Sequence, residues 1–78
     1  MDPQQTWVEL LEAVEASDIE TARDRALSLM EWLARGGFPP VTGNNLSLTA
    51  DQHRQIVRDY CRNVLRQSVE TSQVAKAP

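Results

Sequence analysis

The sequence predicts an all-α fold: a three-helix bundle in which an antiparallel helical hairpin is followed, after an ordered loop, by a longer third helix. Three segments have apolar residues at the spacing of an amphipathic helix. Each begins with helix-capping residues, and no strand-like alternation is long enough to compete. Within 78 residues we predict one domain over 1–69, helices over about 3–16, 18–35 and 50–69, and a disordered tail over 70–78.

The first predicted helix begins at Asp2, a good N-cap because its carboxylate can accept bonds from free backbone N–H groups. Pro3 suits the first helical position, where an N–H is not needed, and Gln5 occupies the capping-box position. The predicted core stripe is Trp7, Leu10, Leu11 and Val14. These residues share one face of a helix.

Ser17 and Glu20 predict a second capping box, and Gly36 predicts the end of that helix, because glycine adopts the left-handed conformation without strain. The predicted core stripe is Ile19, Ala22, Ala26, Leu29 and Leu33. The link between the first two helices is only one or two residues long. A link this short predicts an antiparallel hairpin.

The connection over about 37–48 contains apolar residues, so we expect an ordered loop that places Phe38 and one or two leucines on the bundle. Thr49 and Gln52 predict a capping box for the third helix. Its predicted apolar stripe is His53, Ile56, Val57, Tyr60, Cys61, Val64, Leu65 and Ser68.

Composition excludes several classes of site. Cys61 is the only cysteine and His53 the only histidine, so the chain can form neither an internal disulfide nor a common Cys/His zinc site. We therefore predict no metal and no cofactor. A lone cysteine fits a reducing compartment, and we find no secretory signal and no apolar run long enough to cross a membrane. We predict a cytoplasmic protein without membrane contact.

A row of arginines on the third helix is a candidate phosphate-binding site: Arg54, Arg58, Arg62 and Arg66. Residues 1–38 hold eight acids and three bases, a net −5, whereas residues 39–78 hold three acids and five bases, a net +2. The whole chain is nevertheless acidic, at −3, and the row contains no nucleic-acid-binding motif. We favour a solvated helix face, partly paired with acids of the same or a neighbouring molecule.

The string over 32–40, WLARGGFPP, supplies a candidate interaction surface formed by Trp32, Phe38, Pro39 and Pro40. Exposed aromatic and proline side chains can make a patch that binds a partner. The structural alternative, which we favour, is a helix stop whose Phe38 folds back over the end of the hairpin.

This string, after a Glu/Ala/Leu-rich hairpin, resembles one in small bacterial proteins of planctomycete type. The resemblance covers Trp7 to Pro40, about half of the chain. It depends on Trp7, Leu10, Leu11, Ala22, Trp32, Leu33, Gly36, Gly37, Phe38, Pro39 and Pro40. It implies a shared hairpin and no particular activity, and the third helix lies outside it.

The function expected from these observations is a non-enzymatic protein-interaction module. No catalytic residues are predicted, because no acid–base or nucleophile set has a supporting spacing. The third helix should be about 30 Å long against about 20 Å for the first, so its end overhangs unless another chain covers it. We expect a protein partner, or a homodimer formed through the third helix or the Trp32/Phe38 region. The alternative is a nucleic-acid-binding protein that uses the arginine row.

Overall fold

The protein is an all-α bundle of three helices, as predicted. A computed structural model describes the backbone of residues 1–43 and 47–76 and the side chains of those residues up to 67. Helix α1 spans Pro3–Glu15, α2 spans Ile19–Ala34 and α3 spans Ala50–Lys76. Helix α2 packs against both α1 and α3. It is antiparallel to each, so α1 and α3 run in the same direction on either side of it.

The start of α1 is capped by Asp2, as predicted. Its carboxylate accepts from the backbone N–H groups of Gln4 and Gln5 at 3.1 and 3.2 Å. The side-chain amide of Gln5 donates to Glu9, one turn further along, at 3.4 Å. The cap thus acts through Asp2, while Gln5 contributes along the helix surface.

The predicted cap of α2 is wrong by one residue: Asp18, and not Ser17, is the N-cap. The Asp18 carboxylate accepts from the Thr21 N–H at 3.2 Å. Hydrogen bonding by Thr21, first through its side chain and then through its backbone N–H, lowers the pKa of Asp18. Ser17 has a φ of 58°. Its N–H donates to Val14 and that of Asp18 to Ala13, at 3.1 and 2.8 Å. Ser17 therefore closes α1 in a left-handed Schellman turn, which is a conformation that cannot also cap the next helix.

Replacing Ser17 with glycine is expected to raise the free energy of unfolding by about 0.5–1 kcal/mol. Glycine removes the left-handed strain, although it adds some entropy to the unfolded chain. Urea denaturation followed by circular dichroism measures the change. Ser28→Gly is the matched control: the same substitution within α2 should destabilise the protein. A loss of stability in Ser17→Gly would contradict the assigned turn.

The core is formed by one stripe from each helix. Its members are Trp7, Leu10, Ala13, Ala22, Ala26, Leu29, Leu33, Val57, Cys61 and Val64, with Met30, Trp32, Tyr60 and Leu65 packed against them. Predicted core residues that are substantially exposed are Leu11, Val14, Ile19 and Ile56. On α1 the buried stripe is Pro3, Trp7, Leu10 and Ala13. It is rotated from the predicted one because α1 faces α2 on one side only.

The end of α2 follows the predicted pattern. Gly36 has a φ of 86°. The N–H of Gly37 donates to the Trp32 carbonyl at 3.0 Å, and the Trp32 indole N–H donates to the Phe38 carbonyl at 2.9 Å. A Cβ on Gly37 would lie 2.3 Å from the Trp32 ring. Gly36 thus provides the left-handed turn, and Gly37 leaves room for the indole of Trp32.

Helix α3 begins as predicted and ends later. Thr49 and Gln52 form a reciprocal capping box, with bonds of 2.8 and 3.2 Å. The helix continues to Lys76, whereas the sequence predicted an end near 69. No proline or glycine interrupts residues 70–76, and extending an existing helix costs little. Residues 77–78 of the predicted tail lie outside the described residues.

The connecting loop is held to both outer helices. The side chain of Gln4 makes two bonds with the backbone of Val41: its Oε1 accepts at 2.8 Å and its Nε2 donates at 3.2 Å. Thr42 donates its N–H to Nδ1 of the buried His53 at 3.2 Å. Pro40 is buried, whereas Phe38 is 71% exposed. The expectation that Phe38 covers the bundle was therefore wrong, because its ring only meets the edge of Trp32. Leu46 lies outside the described residues.

Candidate interaction face

Side chains of α1 and α3 approach each other beside α2, although the two helices do not pack directly against each other. The ring of Trp7 contacts that of Tyr60 edge-on, with centroids 5.2 Å apart. Further along, Val14 and Ser17 line the same groove as Val64 and Gln67. Side chains of the two helices therefore meet at Trp7 and Tyr60 and border one groove near the end of the hairpin, while each helix packs on α2. No helix of the described part of the chain covers this side of the bundle from outside.

Apolar side chains remain exposed along this side of the bundle. On α1, Leu11 and Val14 lie one and two turns after Trp7 and are 37% and 38% exposed, and the neighbouring Val8 is 39% exposed. On α3, Ile56 precedes the half-buried Tyr60 by one turn and is 41% exposed. Together with Val41 of the loop we call these residues the α1–α3 face: Val8, Leu11, Val14, Val41, Ile56 and Tyr60.

The two ends of the α1–α3 face are structurally distinct. At one end the loop lies against α1 through the paired bonds between Gln4 and Val41. At the other end is an open groove of about 180 Å³. It is lined by Ala13, Val14, Ser17, Asp18, Ile19, Ala22, Val64 and Gln67. The groove reaches the core at Ala22 and Val64, because the small side chain of Ala22 leaves space beside α3.

Charged residues also lie on the outer surfaces of α1 and α3. The exposed Glu12 and Glu15 lie on α1, whereas the exposed Arg62 and Arg66 lie on α3. No hydrogen bond or ion pair joins the side chain of any of the four to another residue whose side chain is described. By contrast, Glu9 of α1 bonds Arg25 of α2 at 2.9 Å. Glu9 is therefore paired with α2, and Glu12 lines the same groove between α1 and α2 as Arg25.

The four arginines predicted to bind phosphate do not have equal roles in the structure. Arg54 is half-buried and donates to the carbonyl of Leu33, in the last turn of α2, at 3.4 Å. A cation is favourable at a helix C-terminus, so this contact stabilises the junction of α2 and α3. Arg58 is half-buried, and of the four only Arg62 and Arg66 are exposed. Arg54 thus has a structural role, and two exposed guanidinium groups are left for binding.

The four residues of the predicted interaction surface over 32–40 differ in their exposure to solvent. Trp32 is half-buried and bonded to the loop, Pro39 is half-buried and Pro40 is buried. Phe38 alone among the four is exposed. These side chains mainly shape the end of α2, and their role in binding a partner stays a prediction.

Three titratable residues lie in or beside the core, and their contacts serve the fold: His53, Tyr60 and Cys61. Nδ1 of the buried His53 accepts the Thr42 N–H at 3.2 Å and lies 2.9 Å from the Thr42 hydroxyl oxygen. Burial raises the pKa of the Cys61 thiol to about 12 and also raises the pKa of Tyr60. A thiol of such high pKa is a poor nucleophile at neutral pH. Among the described residues no His, Cys, Asp and Glu side chains gather as a metal-binding group.

Within the described residues, none of the helices combines the length and apolar character that crossing a membrane requires. Comparison of the chain with protein-family models, curated proteins and solved structures gives no match.

Proposed function

We propose that this protein is a non-enzymatic protein-interaction module that binds its partner through the α1–α3 face. The observation that supports this most is the exposure of Leu11, Val14 and Ile56, because the helical periodicity of the sequence assigns all three to a core. Covering the apolar residues of such a stripe with another surface removes them from water, which lowers the free energy of the complex. In this proposal the protein works in the cytoplasm, where Cys61 stays a thiol.

The shape of the face favours a helical partner. Exposed apolar residues at helical spacing on α1, with Ile56 nearby on α3, suit the apolar stripe of a further helix, which packs by fitting ridges into grooves. The loop at Val41 closes one end, so the partner helix lies along Leu11 and Val14 towards the groove at Ile19. Its apolar stripe would meet the exposed apolar residues of the face, and a basic edge would meet the exposed acids of α1.

Substituting Leu11 with aspartate is expected to abolish partner binding while the fold is kept, since Leu11 is already partly exposed. Leu27→Asp on α2 is the matched control, because Leu27 is 49% exposed on another surface, beside Glu20 and Arg23. Both variants and the wild type are compared by quantitative pull-down, with circular dichroism to verify folding. We expect Leu11→Asp to retain about 10-fold less partner protein, or less still, than the wild type and Leu27→Asp retain.

Equal retention by the two variants would contradict the proposal. Binding of an oligonucleotide that weakens steeply with salt and on Arg58→Gln would instead support the nucleic-acid alternative. We rank that alternative second, because Arg54 is engaged with α2 and the chain is acidic overall.

A further inference from the structure

Resting on the proposed function, we infer that the open groove at the end of the hairpin is a pocket for a lysine side chain of the partner. The aliphatic stem of this lysine lies on the apolar floor of the groove, and its ammonium group meets the carboxylate of Asp18. The partner helix therefore carries a lysine at the end of its apolar stripe, just beyond the part that covers Val14.

The first argument is the apolar interior of the groove. Ala13, Ala22 and Val64 line it and are buried, so they form its floor. Val14 and Ile19 line it as well but are 38% and 45% exposed, so an occupant that covers them removes apolar surface from water. A cavity of about 150 Å³ holds a molecule the size of benzene. The groove, at about 180 Å³, therefore has room for a lysine side chain.

The second argument is the charge at the edge of the groove. Among the described residues that line it, Asp18 alone is charged, and it is exposed. No ion pair joins Asp18 to another side chain that the structure describes. Arg25 shares a second groove with Asp18, but its guanidinium group is engaged by Glu9 and Asp24. The Asp18 carboxylate is thus available to a cation from another molecule.

The position and charge of this carboxylate are fixed by the start of α2. Asp18 is the N-cap of that helix and accepts from the Thr21 N–H at 3.2 Å. Hydrogen bonding by Thr21 also holds the pKa of Asp18 below its ordinary value, which keeps the group ionised. Because Thr21 already occupies part of the carboxylate, the single ammonium group of lysine suits it better than the two-pronged guanidinium group of arginine.

The two arguments together favour lysine over an apolar side chain. A leucine in the groove would cover the floor, but it would also remove water from the Asp18 carboxylate without replacing the lost hydrogen bonds, which is unfavourable. A lysine covers apolar surface with its methylene chain and keeps its charged end at the edge. Its ammonium group also supplies the missing hydrogen bonds to the carboxylate.

An NMR titration with single amino-acid probes tests the pocket. N-acetyl-lysine N-methylamide, added up to about 50 mM at low salt, should shift the backbone amide signals of Val14, Ile19 and Ala22, with a dissociation constant on the order of 10 mM. The matching norleucine probe has the same aliphatic stem without the ammonium group. We expect it, and the matching arginine probe, to bind about 3-fold more weakly or less.

Asp18→Asn is the informative variant, because asparagine is as good an N-cap as aspartate and only the charge is removed. It should bind the lysine probe about 3-fold more weakly than the wild type and the norleucine probe equally well. Asp51→Asn, the same substitution in the first turn of α3, is the matched control and should bind both probes as the wild type does.

A lysine probe that shifts none of the groove signals, or that binds Asp18→Asn as tightly as the wild type, would overturn the pocket. Tighter binding of the norleucine or arginine probe would overturn lysine as its occupant. Each of these results would leave the proposed function standing if Leu11→Asp still lost its partners in the pull-down. Equal retention by Leu11→Asp and Leu27→Asp would instead contradict the proposed function alone.

Discussion

Replacing Leu29 with alanine is expected to lower the free energy of unfolding by about 3 kcal/mol. Leu29 is fully buried in the middle of α2, the helix that packs against both others, so its loss leaves a cavity that faces α1 and α3 together. A domain of this size has a total stability of only about 4–12 kcal/mol, so the variant should lose a large part of it. Urea denaturation at one protein concentration measures the change.

Leu27 provides the matched control for this substitution. It is the same residue type on the same helix, but it is 49% exposed. Leu27→Ala should change the free energy of unfolding by less than about 1 kcal/mol. Similar losses in the two variants would contradict the placement of α2 as the central helix.

Gly37→Ala is expected to cost about 2 kcal/mol, although only one methyl group is added. The new Cβ would lie 2.3 Å from Cε2 of Trp32, so the indole must move out of its site. It then loses both its hydrogen bond to the Phe38 carbonyl and its edge contact with the Phe38 ring. Besides the loss of stability, we expect a red shift in tryptophan fluorescence as Trp32 becomes exposed.

Gly43→Ala is the control for this second prediction, because a Cβ on Gly43 meets open space and its backbone needs no left-handed conformation. Its stability and fluorescence should match those of the wild type. A Gly37→Ala variant with unchanged fluorescence would show that the indole does not pack on residue 37.

Local signals account for what the sequence predicted well. Asp2, Gly36 and the Thr49/Gln52 pair act where expected, because caps depend on backbone groups within four residues of the cap. The error at Ser17 has a different origin. A serine and an aspartate side by side are both good caps, and the hairpin geometry, which places Ser17 at positive φ, decides between them.

The candidate site could be predicted only in part, because exposure depends on how the helices are arranged. Periodicity places Trp7, Leu11 and Val14 on one face, but it cannot show that α2 buries the side with Leu10 and leaves Leu11 open. In the same way, spacing aligns the arginines without showing that Arg54 caps α2. The contacts that hold the loop, from Gln4 to Val41, join residues 37 positions apart and have no signal in the sequence.

The face proposed to bind a partner contains Leu11, Val14 and Ile56, and self-association through it is the form of binding that the protein alone can show. Backbone amide NMR spectra recorded from about 20 µM to about 1 mM test it most directly. We expect concentration-dependent shifts at Leu11, Val14 and Ile56, with Leu27 on the other side of α2 unchanged. Spectra that do not change with concentration, or shifts centred on Leu27, would contradict it.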